Sequence, residues 1–398
     1  MHDMNIPTFD WLLSPPGQAA LATLVPDDLR DTARLATLTR LRRDLSSEQA
    51  AAAYEMAVLR VRAAAKFSRA SAMYFTREAL EQSSGELITT YRCARFSGYN
   101  TIGDLCCGVG GDTVGLARYT SVTAVDHDEL RLLMAAQNAR AYGIVTKVAF
   151  SNIDLERNEP PGADGLFFDP ARRTGGRRVF SLADYVPAMS HLERWLRHTP
   201  AIGVKIAPGA RDEELQTLPP HEVEFISIEG ELKQAVLWFG PLAGAERRAT
   251  LLSRSGGATH TLHGAGGGIG PLADVPGAFL YEPDPAIIRA HLVVAVGAHL
   301  GAVQLDPMIA YLTSDARVAT PFARCWRVLE WLPFNLKKLR ARLSSLDAGA
   351  VTVKKRGSPL DTDALAKQLS GHGAHPLVVT LTKLRGQPVA LICEGPVG

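Results

Sequence analysis

The chain has 398 residues, more than one hydrophobic core usually holds, so two or three domains are expected. Hydrophobic residues make up 46% and charged residues 21%, an ordinary globular composition that excludes a largely disordered or collagen-like chain. The formal net charge of +2 gives no global attraction to nucleic acid, so any such binding has to rest on local basic patches.

The sequence carries no sign of export or of membrane insertion. It has no apolar run of about eighteen residues, and its N-terminal stretch MHDMNIPTFDWLL lacks a basic segment followed by an apolar one. The five cysteines form no spaced framework, which fits free thiols in a reducing compartment. We therefore expect a cytoplasmic protein with no membrane partner.

The first two predicted regions differ in the spacing of their apolar residues. Residues 1–95 are predicted to be helical, because apolar residues recur at three- and four-residue spacing in AAAYEMAVLRVRAAAKF. Residues 96–245 instead alternate short apolar runs with helical stretches, which indicates an α/β fold with a parallel sheet. The predicted strands are TIGDLCC, VTAVD, VAFSNI, GLFFD and AIGVKIA, then VEFISI and QAVLWFG. Only EGELK separates the last two, so we expect an antiparallel hairpin there and a mostly parallel sheet overall.

The remaining chain is predicted to form two further regions. Residues 246–321 are predicted to be a Gly-rich junction followed by one buried helix over DPAIIRAHLVVAVGAHLGAV. Residues 322–398 alternate strand and helix and end in the hairpin LVVTLTKLRGQPVALICE. This last region is a small α+β domain, near the minimum size for independent folding.

The stretch DLCCGVGGD, residues 104–112, carries the clearest chemistry. Cys106 and Cys107 are adjacent, whereas redox motifs of the thioredoxin type need C-x-x-C. The remote HTLH stretch makes a poor partner for a zinc half-site, so no metal is expected. A dinucleotide fingerprint would place its third glycine at position 113, which is Thr113.

The glycines and acids of this stretch fit a cationic nucleoside that carries no phosphate. Gly108 and Gly110 let the backbone approach a ligand closely, and Asp104 offers negative charge to a sulfonium and an α-amino group. Asp126 follows Asp104 by 22 positions and closes the next predicted strand, where a carboxylate can accept from both ribose hydroxyls. A plain tight turn is the alternative for the two glycines.

The sequence DLCCGVGGDTVGLARYTSVTAVDHDELRLLMAAQNARAYGI resembles motif I and its successors in the class I S-adenosylmethionine (AdoMet)-dependent methyltransferases. It is most similar to the corresponding stretch of RNA cap trimethylguanosine synthases and related RNA methyltransferases. The resemblance implies a Rossmann-like methyltransferase sheet, AdoMet as cofactor, and Asp154 beside the adenine amino group, with a helix N-cap as the alternative for Asp154. The predicted cofactor-binding residues are Asp104, Cys106, Gly108, Gly110, Asp126, His127 and Asp154.

A second motif, FFDPARR, ends the fourth predicted strand. Asp169 and Pro170 match the first half of the N/D-P-P-aromatic motif of amino-methylating relatives, but Ala171 and Arg172 replace its second half. The motif also resembles D-P-x-R of RNA uridine C5-methyltransferases, yet no later nucleophilic cysteine lies between Cys107 and Cys325. We predict that Asp169 positions the nucleophile or accepts its proton and that the arginines orient the substrate. The predicted catalytic residues are Asp169, Pro170, Arg172 and Arg173.

Basic residues predict where a substrate would bind. Arg177 and Lys205 follow predicted strands at the edge where open α/β sheets bind ligands, and they suit phosphate or an anionic base edge. The order of regions, with VKKRG in the last, resembles bacterial methyltransferases that bear a THUMP-like C-terminal domain, which implies delivery of structured RNA. The predicted RNA contacts are Arg177, Lys205, Lys354, Lys355 and Arg356, with an ordinary solvated surface as the alternative.

The sequence therefore predicts an AdoMet-dependent methyltransferase that acts on a base of structured RNA, either tRNA or rRNA. Catalysis would work chiefly by proximity, with the nucleophile held near Asp169. Two alternatives stay open. One is an AdoMet-binding, RNA-binding protein without catalytic activity, and the other is a methyltransferase for proteins or small molecules.

Overall fold

A computed structural model describes residues 4–172, 181–255 and 257–397 of the chain. The chain forms two compact units, of which unit 1 comprises Met1–His221 and Val236–Ala243, and unit 2 comprises Glu222–Ala235 and Gly244–Gly398. Among the described residues, none of the helices combines the length and the apolar character that a bilayer crossing needs.

The N-terminal part of unit 1 is helical, as its apolar spacing predicts. Its longest helix begins with a capping box in which the Ser46 hydroxyl accepts from the Gln49 amide and the Gln49 side chain accepts from the Ser46 amide. The buried faces of the first, second, fourth and fifth helices share one core, which also takes in Val109 and Met134 of the following α/β region. The helices are α1 (Ile6–Leu13), α2 (Pro15–Ala22), α3 (Arg34–Leu41), α4 (Ser47–Ala63), α5 (Arg77–Gln82) and α6 (Glu86–Cys93).

The α/β part of unit 1 alternates strands and helices in the predicted order. Its strands are β1 (Thr101–Leu105), β2 (Ser121–Asp126), β3 (Val148–Asn152), β4 (Gly165–Phe168), β5 (Ala171–Arg172), β6 (Tyr185–Val186) and β7 (Ile202–Ile206). Its helices are α7 (Gly111–Leu116), α8 (Glu129–Ala141), α9 (His191–Leu196) and α10 (Asp212–Leu215). β1, β2, β3, β4 and β7 lie in the order β7-β4-β1-β2-β3 and pair in parallel, while β5 and β6 form a separate antiparallel ribbon.

The register of the parallel strands brings their carboxyl ends to one edge. Leu105 of β1 pairs with Phe168 of β4, and Phe168 pairs with Val204 of β7. The residues that follow, among them Asp169 and Lys205, therefore emerge side by side. This is the edge at which open α/β sheets bind ligands.

Two strands, β8 (His221–Ile228) and β9 (Glu231–Phe239), follow in the chain. Their connection is the two-residue turn Glu229–Gly230, in which both residues have positive φ (51° and 78°). A two-residue turn joins only antiparallel strands, so the predicted hairpin is confirmed. The second half of β9 belongs to unit 1, where it lies next to β7.

Unit 2 contains the remaining elements. Its further strands are β10 (Arg247–Leu252), β11 (His260–Gly264), β12 (Phe279–Pro283), β13 (Val303–Asp306), β14 (Ile309–Ser314), β15 (Ala323–Pro333), β16 (Ala348–Lys355), β17 (His375–Leu384) and β18 (Gln387–Pro396). Its helices are α11 (Pro285–Arg289), α12 (Val293–Leu300), α13 (Leu336–Ser345) and α14 (Thr362–Leu369). The C-terminal sheet has the order β13-β14-β12-β15-β18-β17-β16, and its core includes Leu339 of α13 and Leu365 of α14.

Unit 2 departs from the sequence prediction in its first half. The single helix predicted over residues 284–303 was wrong: the chain forms two short helices, α11 and α12, with His291 between them at a φ of 56°. The Gly-rich junction also contributes β12, β13 and β14, which pair in one sheet with the predicted C-terminal strands. The sequence did not indicate these three strands.

Candidate functional site

The loop after β1 is held in an unusual backbone conformation. Cys106, Gly108 and Gly110 all have positive φ, at 61°, 54° and 84°. Gly110 is the left-handed N-cap of α7, a position that glycine occupies without the steric cost that a side chain meets. The loop therefore turns sharply from the sheet edge into the first turn of α7.

The two glycines have different surroundings. A Cβ on Gly110 would lie 3.3 Å from Cβ of Ala135 in α8, whereas one on Gly108 would meet no described atom within 4 Å. The Gly108 amide donates to Oδ2 of Asp126 at 2.8 Å. Gly108 thus faces open space while its backbone is tied to the end of β2.

Asp126 is a buried carboxylate that organises two loops. Its Oδ1 accepts from the Asp128 amide at 3.0 Å, in addition to the bond that Oδ2 accepts from Gly108. Asp128 in turn caps α8 by accepting from the Arg131 amide at 3.1 Å. A carboxylate offers about four lone-pair sites, so Asp126 keeps acceptor capacity for a ligand hydroxyl.

Asp104 is fully buried at the end of β1. Its Oδ2 accepts from the Thr113 hydroxyl at 2.5 Å, and its Oδ1 has no hydrogen-bond partner among the described residues. Burial and then the charge of Asp112 raise the pKa of Asp104 well above its usual range. An unsatisfied buried carboxyl oxygen indicates a place for a donor or a cation that the chain itself does not supply.

A fully buried ion pair supports this loop from the N-terminal side. Arg92 of α6 pairs with Asp112 in the first turn of α7 and also donates to the Ser84 hydroxyl at 3.0 Å. Its guanidinium lies 4.5 Å from the centroid of the Phe167 ring in β4. Arg92 therefore connects the helical region, the start of α7 after the β1 loop, and the central sheet.

Asn138 of α8 makes a second connection of the same kind. Its buried amide donates to the carbonyl oxygens of Tyr74 at 3.0 Å and of Val109 at 2.8 Å, and accepts from the Tyr74 amide at 2.7 Å. The N-terminal helical region is thus part of the site's framework.

Asp169 and Lys205 form the second half of the candidate site. Lys205 Nζ donates to Asp169 Oδ2 at 2.6 Å, and the two side chains are 17% (Lys205) and 23% (Asp169) exposed. Lys205 also contacts the Gln82 carbonyl oxygen at 3.4 Å. Burial raises the pKa of Asp169, and this effect outweighs the lowering by Lys205. The pair is therefore a partly exposed donor and acceptor at the ligand-binding edge.

The other predicted cofactor residues, Cys106, His127 and Asp154, differ in their burial and in their contacts. Burial and the nearby carboxylates raise the pKa of the Cys106 thiol well above its usual range, so Cys106 is no reactive thiolate. The His127 side chain is 72% exposed beside Asp126. Asp154 Oδ1 accepts from the Glu156 amide at 3.0 Å, a local turn contact that leaves its carboxylate 44% exposed.

The D-P-A-R-R stretch is described only in its first part. Pro170 is buried, and Ala171 and Arg172 form β5, in which Arg172 pairs with Tyr185 of β6. The predicted substrate-facing arginines Arg173 and Arg177 lie outside the described residues.

The basic residues predicted on unit 2 are less free than their sequence indicates. Lys354 pairs with Glu282, and its Nζ lies 4.2 Å from the centroid of the Trp326 ring. Arg356 Nη2 is 3.6 Å from Glu282 Oε1, and Lys355 Nζ donates to the Leu360 carbonyl at 2.6 Å.

Sequence reasoning missed the residues that brace the site. Asp112 stands inside DLCCGVGGD, yet its partner Arg92 lies 20 positions away in a helix whose charges resemble a solvated face. Lys66 was missed too; it donates to the carbonyls of Leu80 at 2.7 Å and Ser83 at 3.0 Å. Lys66 follows the alanines of AAAKF, and a lysine beside apolar residues was a weak signal for it. Arg92 lies in the mixed stretch ELITTYRC, which carries no such signal.

Together these residues form a pocket edge suited to a cation. Asp104 offers an unpaired buried oxygen, Gly108 leaves open space, and Asp126 retains acceptor capacity. These features fit AdoMet, which has a sulfonium, an α-ammonium and two ribose hydroxyls. Among the described residues, no group of three or more His, Cys, Asp or Glu side chains is arranged to hold a metal ion.

Comparisons with known proteins agree with this chemistry. Family models match over residues 99–185 (RNA cap guanine-N2 methyltransferase), 323–395 (THUMP domain-like) and 5–63 (a domain of unknown function). The chain resembles a crystal structure of a candidate methyltransferase from Porphyromonas gingivalis W83, with a TM-score of 0.76 and 20% identity over 98% of this chain and 97% of that one. At this identity the likeness shows the fold.

Proteins related in sequence show the family to which the chain belongs. Two proteins of Mycobacterium tuberculosis, from strains CDC 1551 and H37Rv, are named uncharacterized S-adenosylmethionine-dependent methyltransferases. Each is 37% identical over 342 residues, which cover 83% of this chain and 92% of the relative. The predicted Rossmann-like fold, the THUMP-like domain and the cofactor are thereby confirmed, and the chain belongs to the S-adenosylmethionine-dependent methyltransferases.

Proposed function

We propose that this methyltransferase acts on structured RNA, with tRNA or rRNA as the substrate class. The observation that carries the proposal is the Asp169–Lys205 pair, which is partly exposed at the same sheet edge as the glycine loop. The family matches to an RNA cap methyltransferase and to a THUMP-like domain support RNA as the substrate.

The cofactor supplies an electrophilic methyl group, and the chain's own residues bind, orient and accept a proton. Asp104 would hold the cationic part of AdoMet, and Asp126 its ribose hydroxyls. Asp154 and His127 border the same edge. Asp169 would hold the nucleophile and take its proton, with Lys205 fixing the carboxylate by its 2.6 Å hydrogen bond.

Exposed basic residues of α13 would contact the RNA backbone. Lys337, Lys338 and Arg340 are all exposed on this helix, and Arg340 donates to the Gln368 side chain at 3.0 Å. Clustered exposed cations on a nearly neutral chain are what phosphate docking requires. Lys354, Lys355 and Arg356 would contribute less, because each already has a partner within unit 2.

Transfer of a tritiated methyl group tests the proposal. The full-length protein is incubated with labelled AdoMet and total RNA from cells that lack the gene. We expect acid-precipitable label that nuclease removes and protease does not. Asp169→Asn should lose this label, whereas the matched control Asp10→Asn, at an exposed position of α1, should keep it. AdoMet binding without transfer would favour the non-catalytic alternative, and protease-sensitive label would favour a protein substrate.

A further inference from the structure

We propose that the methyl acceptor is the lactam edge of guanine or uracil, the ring N–H beside a C=O, and that Asp169 and Lys205 recognise it. This inference rests on the proposed function, because it names the acceptor atom of the same site. The relatives' names assign no acceptor. The family matched over residues 99–185 is described by guanine N2, an exocyclic amine, so a ring N–H acceptor departs from that description.

The geometry of the pair matches this edge. Asp169 presents an acceptor and Lys205 a donor, with 2.6 Å between Oδ2 and Nζ, and both side chains are partly exposed. A lactam presents the complementary order, a donor on the ring nitrogen and an acceptor on the neighbouring oxygen. The carboxylate can therefore take the N–H while the ammonium binds the C=O.

Local charge separates a lactam from an exocyclic amine. An amine that attacks a methyl sulfonium becomes positively charged, next to the ammonium of Lys205 and close to a second cation. The second cation is Lys66: its Nζ donates to the Ser83 carbonyl oxygen at 3.0 Å, while Lys205 Nζ contacts the carbonyl oxygen of the preceding residue, Gln82, at 3.4 Å. A lactam that has lost its proton is instead an anion, whose charge on oxygen Lys205 stabilises.

The residues that follow Asp169 also favour a lactam over an exocyclic amine. In an amino-methylating motif a second proline and an aromatic ring would follow Pro170, and here Ala171 occupies the first of these places in β5. A ribose hydroxyl is disfavoured for a different reason: it is a much weaker acid than a lactam N–H, and a carboxylate is a poor base for it.

The chemical step is balanced without a further reactant. The ring nitrogen gives its proton to the Asp169 carboxylate and attacks the methyl carbon in line. The N–C bond forms as the S–C bond of the methyl donor breaks, so the sulfonium becomes a neutral thioether. Asp169 then returns the proton to water. Because burial raises the pKa of Asp169, its carboxylate is a stronger base than an exposed one.

The test identifies the methylated nucleoside. Total RNA from cells lacking the gene is methylated by the full-length protein with labelled AdoMet, digested to nucleosides and analysed by mass spectrometry. Label in 1-methylguanosine or 3-methyluridine supports the inference. Label in an exocyclic N-methyl, C-methyl or 2′-O-methyl nucleoside overturns it and leaves RNA methylation standing. Absence of label from RNA overturns both proposals.

Variants test the two roles separately from folding and cofactor binding. Asp169→Asn should lower kcat by roughly 10²–10⁴-fold, and Lys205→Gln by roughly 10²–10³-fold, with the AdoMet dissociation constant unchanged in each. Lys147→Gln is the matched control: Lys147 is exposed just before β3, at the opposite edge of the sheet, and its replacement should leave kcat unchanged. A Lys205→Gln enzyme with normal kcat would contradict the role of the ammonium.

Discussion

Two sets of charged residues, one in each unit, differ in whether water reaches them. In unit 1, Arg92 and Asp112 form an ion pair whose side chains are 0% and 6% exposed. In unit 2, Lys337 and Lys338 of α13 are exposed, and no ion pair of either is found among the described residues. Buried, paired charges hold neighbouring elements in one geometry, and exposed charges remain available to a partner. Arg92 and Asp112 therefore belong to the framework of unit 1, and Lys337 and Lys338 to the surface of unit 2.

Lys354 lies between these two sets in its exposure and contacts. It lies in the basic stretch VKKRG, yet it pairs with Glu282 and packs on the Trp326 ring. In its contacts it resembles the buried charges of unit 1 more than its exposed neighbours in unit 2. Sequence position alone did not distinguish the two kinds of lysine.

The largest expected effect comes from breaking the buried pair. Arg92→Met leaves Asp112 as an uncompensated buried charge, which should lower the free energy of unfolding of unit 1 by about 3–5 kcal/mol in urea denaturation. Arg30→Met, which removes an exposed pair with Asp27, should have no measurable effect. The double variant Arg92→Met/Asp112→Leu should recover much of the stability; equal destabilisation in the single and double variants would show that charge is not the cause.

The two loop glycines should separate stability from cofactor binding. Gly110→Ala places a Cβ 3.3 Å from Ala135 at a φ of 84° and should lower the free energy of unfolding by roughly 1–3 kcal/mol. Gly108→Ala meets open space, so it should cost less stability and instead weaken AdoMet binding, as measured by calorimetry. If Gly108→Ala binds AdoMet normally, the cofactor does not lie against this loop.

Replacing Asp104 should change protein stability and AdoMet binding in opposite directions. Its pKa is higher in the folded chain than in the unfolded chain, so the folded state binds more protons between these two values. The free energy of unfolding therefore falls as pH rises from the usual carboxyl pKa towards the folded one. Asp104→Asn should remove this fall and stabilise the cofactor-free protein at neutral pH by about 0.5–2 kcal/mol.

The same variant should weaken AdoMet binding by roughly tenfold, equivalent to about 1.4 kcal/mol of binding free energy. Denaturation at several pH values and calorimetry on the same samples check both results. Stabilisation without weaker binding would mean that Asp104 does not contact the cofactor.

The smallest expected effect concerns the exposed lysines. Lys337→Gln/Lys338→Gln should reduce the slope of log affinity against log salt concentration by roughly 0.7–0.9 for each RNA phosphate that is no longer neutralised, with no change in AdoMet affinity. Lys354→Gln should change RNA binding less than either α13 substitution, because its charge is engaged by Glu282. Filter binding of RNA at several salt concentrations measures the affinity of the α13 double variant and of Lys354→Gln. The reverse order would show that VKKRG is the docking surface.

Local patterns made the α/β part of unit 1 and the hairpin that follows it predictable. The strands β1 to β4 and β7 to β9 follow short apolar runs, and the hairpin between β8 and β9 follows from a linker too short for a crossover. The left-handed positions Gly108 and Gly110 were marked by glycine itself. Asp126 was marked by its distance from Asp104.

Features that depend on distant contacts were not predictable from the sequence. The pairing of Arg92 with Asp112 joins two helices and leaves no local pattern. The break between α11 and α12 falls at His291, where no glycine or proline marks it. β12, β13 and β14 were missed because they are short and gain their stability by pairing with β15 and with one another.

The most direct test of the central claim compares the nucleosides of tRNA and rRNA from living cells. A strain lacking the gene is complemented with the wild-type chain, with Asp169→Asn or with Lys147→Gln, and its RNA is analysed by mass spectrometry. We predict that one methylated nucleoside disappears in the deletion strain and returns with the wild type and with Lys147→Gln, but not with Asp169→Asn. A nucleoside profile that is identical in all four strains would contradict the account.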